Sequence, residues 1–374
     1  MPAFDQHRND LADLTRANRR RALIANVGID FASNDYLGLS TDPHLAQAVT
    51  KAIARHVPVG SGGSRLLRGN HPEHGLLEEE AARFFGSESA IFFSSGYAAN
   101  TALFATLPQT GDLIVHDELV HASAHEGMRL TRAERRSAPH NDAGAVEGII
   151  VRWRRGGGSG TAWIAVESLY SMDGDRAPLD DLAAIADRHG AILLIDEAHA
   201  TGVFGSEGRG LAGHLEGRPD VVTLRTCGKA LGAEGALVCG PRIVCDFLIN
   251  RGRAFIFSTA PSPLMASAVR AALRIVADEP ERRERLWRLI AHAESALAPY
   301  RVTPTGSQIL PLILGDDGRA MRVAAALQAA GYDVRGIRPP TVPLGTSRLR
   351  ISITLNASVD DVDGLAAALG EALA

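Results

Sequence analysis

Lys229 lies in VVTLRTCGKALG, just beyond an apolar run that reads as a buried strand, with Thr226, Cys227 and Gly228 leading into it. A lysine among glycines and small residues at a strand end can occupy a confined site where desolvation lowers its pKa and frees the amine for a Schiff base. Alone, such a lysine reads first as a solvated loop residue, so the reading needs partners. One is AILLIDEAHATG, where an apolar strand delivers Asp196 and then His199. Ligands of open α/β sheets bind at the carboxyl ends of parallel strands. A buried carboxylate there is costly unless it meets a cation such as a protonated pyridine nitrogen. The plainer alternative is an aspartate capping the following turn.

Upstream, FFSSGYAAN places Ser94, Ser95 and Gly96 between a strand and a helix. Free backbone N–H groups at a helix amino terminus attract phosphate, and small residues let it approach. DELVHAS supplies His121, an imidazole able to stack on a planar ring or carry a proton, though a lone histidine is more often structural.

The elements that would position these residues alternate short apolar runs with helical periodicity, the pattern of a mostly parallel sheet covered by helices. Strands are expected near residues 90–93, 112–115, 162–166, 191–195, 221–224 and 236–239. Leu179, Leu182, Ile185 and Ala186 give one buried helical face. Beyond residue 280 the texture changes to an arginine-rich helix, then strands at 309–314 and 349–353 around a helix at 319–330. The expected division is an N-terminal segment 1–40, a large α/β domain 41–278 and a smaller C-terminal α+β domain 279–374. RRGGGSG at 154–160 reads as a flexible surface loop.

Bulk properties narrow the partners. A chain of 374 residues with 45% hydrophobic and 22% charged residues is long enough for more than one packed unit and is not disordered in composition. A net charge of −4 without a long basic run gives no electrostatic footprint for nucleic acid. Cys227, Cys239 and Cys245 lack paired metal-ligand spacing and suit a reducing compartment, so a cytoplasmic protein without metal is expected. No run approaches the roughly 20 apolar residues of a membrane span, and the polar amino terminus does not read as a signal peptide.

Further motifs are SNDYLGLS (33–40), GSGGSRLLRGNHPEH (60–74), SMDGDRAPL (171–179), DEAHATGVFGSEGRG (196–210), FSTAPSP and IRPPTVPLGTSRLRISIT (337–354). With the lysine motif they run through nearly the whole chain in one order, and on them the chain resembles the α-oxoamine synthases among fold-type I pyridoxal-phosphate enzymes. The resemblance implies a mostly parallel seven-stranded sheet flanked by helices, with a smaller C-terminal α+β domain. It implies pyridoxal 5′-phosphate bound by Lys229, with Asp196 on the pyridine nitrogen, His199 on the phenolic oxygen and His121 over the ring. Gly96, Tyr97 and Thr226 would contact the phosphate and Ser171 would lie near the ring. Ser258 and Thr259 would reach the phosphate of a neighbouring subunit, hence a homodimer with shared active sites. Arg350 would bind the amino-acid carboxylate; Arg19, Arg338 and Thr341 match acyl-substrate positions, and Asn34 lines that cavity.

Within the family, IRPPTVPLGTSRLRI implies condensation of L-alanine with a pimeloyl thioester, on CoA or acyl carrier protein, with loss of carbon dioxide, a step of biotin synthesis. Sister synthases using glycine or serine remain the alternative. A non-catalytic cofactor-binding sensor is the remote one, since no DNA-binding segment precedes the motifs and Lys229 is intact. Arg65 and Arg68 depart from some synthases of this kind, which carry smaller residues there, and this bears on acyl-chain or CoA contacts.

Overall fold

The computed structural model describes residues 3–374. The chain divides into two compact units, one of residues 37–171 and 176–283, the other of residues up to Tyr36 together with 172–175 and 284–374. The first 36 residues therefore group with the C-terminal unit, and the later boundary falls after Arg283.

The large unit is built on seven strands: β1 (Ser89–Phe93), β2 (Leu113–Asp117), β3 (Glu134–Ala138), β4 (Ala162–Glu167), β5 (Ile192–Asp196), β6 (Val221–Thr226) and β7 (Ala236–Gly240). Their order across the sheet is β1-β7-β6-β5-β4-β2-β3, and only β7 runs against its neighbours. The central strands are buried along almost their whole length, as expected for a parallel sheet covered on both faces. One face packs Trp163, Ala165, Leu194 and Leu224 under the helices Gly96–Thr106 and Ala122–Leu130. The other packs Ile164, Val166, Leu193 and Ile195 against Leu179, Leu182, Ile185 and Ala186 of the helix Leu179–His189. The six expected strands are all present, shifted by a residue or two. Strand β3, ERRSA, was not expected: it is a sheet edge with its first four residues exposed, and charged side chains there block further pairing.

Side chains alternate across a strand, so Glu167, Asp196 and Thr226 share one face while Arg225, and Glu197 just past β5, take the other. Arg225 is fully buried. Its guanidinium reaches Glu216 at 2.5 Å, Glu197 at 3.4 Å and the Arg209 carbonyl at 2.5 Å, and lies over the Phe85 ring. Gly210, at φ +97°, closes over this group, where a Cβ would come within 1.5 Å of Glu197 Oε2. Removing the cation strands two buried carboxylates, which costs about 3–5 kcal/mol. Arg225→Met is therefore expected to lower the unfolding free energy by about that much, read as a lower urea midpoint in both cofactor-free and cofactor-loaded protein; an unchanged midpoint would remove the network from the account of stability.

The small unit carries an antiparallel sheet of β8 (Ile309–Gly315), β9 (Arg335–Ile337) and β10 (Ser347–Ser352), ordered β9-β10-β8. The helices Pro280–Leu297, Asp317–Ala329 and Val359–Leu373 belong to the same unit. Strand β9, with only three residues and a glycine, has no hydrophobic period to reveal it. The RRGGGSG segment is folded back on itself: Arg154 donates to the Gly158 and Gly160 carbonyls and lies over the Trp153 ring. Among the described residues no helix is long and apolar enough to cross a membrane.

Candidate active site

Within the large unit, residues at the carboxyl ends of β1, β2, β4, β5 and β6 form one constellation. Ser95 caps the helix Gly96–Thr106 by accepting the Ala98 N–H at 3.1 Å, which leaves the N–H groups of Gly96 and Tyr97 at the helix mouth. A Cβ on Gly96 would meet Thr226 Cγ2 at 2.6 Å, so the helix start and the end of β6 approach too closely for any other residue. Gly96, Tyr97 and Thr226 thus share one corner, where helix-start donors can meet an anion, while the Thr226 hydroxyl donates to the Ala198 carbonyl at 3.4 Å.

Lys229 follows Thr226 in a tight loop. The Cys227 N–H donates to the Gly235 carbonyl, the Ala233 N–H to the Cys227 carbonyl and the Gly232 N–H to the Lys229 carbonyl, each at 2.9 Å. The lysine side chain is half-buried and acts electrostatically on both His121 and Glu167.

Asp196 ends β5. Its Oδ1 accepts the Ala198 N–H at 2.9 Å and its Oδ2 accepts Asn100 Nδ2 at 2.8 Å. His199 is buried three residues on. Asn100 also donates to Ser123 Oγ at 2.9 Å, and Ser123 Oγ lies 2.7 Å from His121 Nδ1. His121 caps the helix Ala122–Leu130, where Nδ1 accepts the Ser123 N–H at 3.2 Å. That bond puts the neutral ring's proton on Nε2. Although the ring keeps solvent exposure, desolvation holds its pKa below the usual histidine value; Lys229 and His125 add to this and Asp196 opposes it.

Asn100, Ser123 and Glu167 were not foreseen. Asn100 stands four residues after Gly96 in the GYAAN motif, so it lies on the helix face of the phosphate corner one turn deeper, and that spacing was the available signal. Glu167 lines a small pocket with Asn100, His121 and Asp196. Ser171 donates its N–H to Glu167 Oε2 at 3.2 Å. Ser258 and Thr259 lie on the loop after the short helix Arg253–Ile256, with Thr259 exposed. Arg65 is held by both carboxylate oxygens of Glu78, at 2.8 and 3.0 Å, and by Asn70, whereas Arg68 is exposed.

In the small unit, Arg350 on β10 is buried and donates to Asn34 Oδ1 at 2.8 Å, Tyr36 OH at 3.2 Å and Ser352 Oγ at 2.9 Å. The structure therefore brings the expected Asn34 and Arg350 together. A second group gathers Arg19, paired with Asp317 at 2.8 Å, Thr341, which accepts from Arg21 at 3.2 Å, and Arg338, which donates to the Asn18 carbonyl. Desolvation, then the charges of Arg21 and Arg19, lower the Arg338 pKa while Asp317 opposes them, so the cluster carries excess positive charge. Arg21 was not singled out in the sequence.

The large-unit residues suit a planar, phosphorylated pyridine aldehyde: an anion corner, an imidazole near it, a carboxylate already furnished with donors, and an amine. A family model described as aminotransferase class I and II matches residues 26–369, so fold and site together define a fold-type I pyridoxal-phosphate enzyme. The 8-amino-7-oxononanoate synthase of Anaeromyxobacter dehalogenans (strain 2CP-1) is 44% identical over 349 residues, covering 92% of this chain and 86% of that one. That of Burkholderia cenocepacia (strain HI2424) is 42% identical, covering 100% and 96%. The chain belongs to the 8-amino-7-oxononanoate synthase family within that class. Among solved structures, a serine palmitoyltransferase of Sphingomonas wittichii overlays with a TM-score of 0.90 at 28% identity, covering 99% and 97%. The 8-amino-7-oxononanoate synthase of Francisella tularensis overlays at 0.78 and 28%, covering 92% and 98%.

Proposed function

We propose that the chain joins L-alanine to a pimeloyl thioester, on CoA or acyl carrier protein, releasing carbon dioxide and giving 8-amino-7-oxononanoate for biotin synthesis. The observation that carries the reading is the meeting of Gly96, Thr226, Asp196, Asn100, His121 and Lys229 at the carboxyl ends of the parallel strands of the large sheet. Pyridoxal phosphate, when bound, supplies an electron sink for the bonds broken and made at the amino-acid α-carbon. Lys229 would hold the cofactor covalently, and its free amine would take the substrate α-proton at Nζ. Asp196 pairs with the ring nitrogen, held in place for that by Ala198 and Asn100. His121 would lie over the ring, and His199 would hydrogen-bond the phenolic oxygen.

Gly96, Tyr97 and Thr226 hold the phosphate, with Ser171 beside the ring. Ser258 and Thr259 are assigned to the phosphate of a neighbouring subunit in a cytoplasmic homodimer. Arg350, oriented by Asn34, binds the alanine carboxylate with its planar fork. Arg19, Arg338 and Thr341 bind the acyl substrate, for which the excess positive charge around Arg338 suits an anionic group.

Backbone overlap is greater with serine palmitoyltransferase, but the 8-amino-7-oxononanoate synthases at 42–44% identity support alanine as the amino acid here, because a few side chains and not the overall fold choose it. Thiol release should be measured with alanine, glycine and serine against acyl-CoAs of several lengths and pimeloyl-acyl carrier protein. Alanine with a pimeloyl donor is expected to give the highest kcat/KM; highest turnover with glycine and a short acyl-CoA would overturn the assignment.

A further inference from the structure

Glu167 ends β4 directly beside Asp196. The two are register partners in a parallel ladder, so their side chains leave the same face of strands about 4.8 Å apart. Both line the pocket that also contains Asn100 and His121. Their surroundings differ in kind. Asp196 has a donor on each oxygen, the Ala198 N–H and Asn100 Nδ2. Glu167 Oε2 accepts the Ser171 N–H, but the buried Oε1 has no hydrogen-bond partner among the described residues, and the residue is only 3% exposed.

A buried carboxyl group beside a second carboxyl is held towards its protonated form, and of this pair Glu167 is the one that is buried with an oxygen lacking a donor. The surrounding charges act in both directions. Lys229 is the cation acting on Glu167; His121 is held towards its neutral form; Asp117, at the end of β2 and bound to His140, adds a negative charge. Burial first, then Asp196, raises the Glu167 pKa well above the carboxylate range, against Lys229. A carboxylate oxygen buried without a donor is costly, whereas a carboxylic acid is neutral and has an O–H to give.

We infer that Glu167 keeps its proton at neutral pH and acts as a neutral carboxylic acid beside Asp196, leaving Asp196 the single negative charge available to the cofactor's ring nitrogen. The inference rests on the cofactor assignment above and refines it. One negative charge matches one protonated pyridine nitrogen. A second would leave an unmatched buried charge and would favour the ammonium form of Lys229, which cannot accept the α-proton.

Difference infrared spectra of wild type against Glu167→Gln, with and without pyridoxal phosphate at neutral pH, test this. A protonated-carboxyl C=O band is expected in wild type and absent from the variant. Glu167→Gln, which retains a neutral donor and acceptor, should keep cofactor affinity and the pH profile of cofactor absorbance within about twofold. Glu167→Leu should lose roughly tenfold or more in affinity, the scale of one buried hydrogen bond left unmade. A carboxylate signature at position 167, or a pH profile displaced as far by Gln as by Leu, would overturn the inference. A wild type that gains no colour with pyridoxal phosphate would instead sink the cofactor assignment, while the spectra of the cofactor-free protein would still report the proton on Glu167.

Discussion

Lys229→Ala is expected to abolish turnover, by about 10⁴-fold or more, because one amine serves as both the covalent anchor and the proton acceptor. The fold should survive. The loop at Lys229 is fixed by backbone hydrogen bonds from Cys227, Gly232 and Ala233, none of which uses the lysine side chain. Pyridoxal phosphate should still be drawn to the Gly96–Thr226 corner but leave on gel filtration, and the long-wavelength absorbance of the anchored cofactor should be missing. Single-turnover thiol release, the absorbance spectrum and a thermal melt together separate chemistry from stability. Unimpaired turnover of alanine by this variant would end the proposed role of Lys229. Partial rescue by a small exogenous amine would strengthen it, because the acceptor and not the shape of the side chain would then be what was lost.

Much of the large unit was legible because parallel strands buried on both faces write themselves as continuous apolar runs, as in AWIAVE and ILLID. The functional residues were legible where a strand ends abruptly in a polar residue: Asp196 after ILLI and Thr226 before CGK. Glu167 sits at the end of such a run too, yet a single acid at a strand end looks no different from a solvated one. Only the register with Asp196 and its burial distinguish it. Asn100 and Ser123 lay hidden for another reason. Their importance comes from three separated segments meeting, the helix after β1, the cap after β2 and the end of β5, and no local pattern records that meeting. Strand β3 and the short β9 escaped because an exposed edge and a three-residue strand carry no hydrophobic period. The resemblance singled out Asn34 and Arg350 but placed Asn34 with the acyl-substrate residues; its bond to Arg350, across a separation of 316 residues, gives local reasoning no purchase.

Asp196→Asn tests the electrostatic half of the site, and its effect follows from the two hydrogen bonds that Asp196 accepts. Both its partners, the Ala198 N–H and Asn100 Nδ2, are donors. An asparagine amide can turn its oxygen to only one of them, so its NH₂ must face the other, donor against donor. The ring nitrogen would at the same time lose the anion that keeps it protonated. Losing one member of a buried charge pair costs about 3–5 kcal/mol, and at 1.36 kcal/mol per tenfold this is a rate loss of roughly 10²–10⁴-fold. Cofactor binding should persist through Lys229 and the phosphate corner, so the loss should fall on the chemical step. Exchange of the alanine α-hydrogen with deuterated solvent, followed by proton NMR without any acyl donor, isolates that step from thioester binding and thiol release. Exchange slowed by the expected factor with the cofactor still bound would place the loss at carbon–hydrogen cleavage. Exchange at the wild-type rate would mean that the ring nitrogen does not depend on Asp196, and the inference about Glu167 would then lose its footing as well.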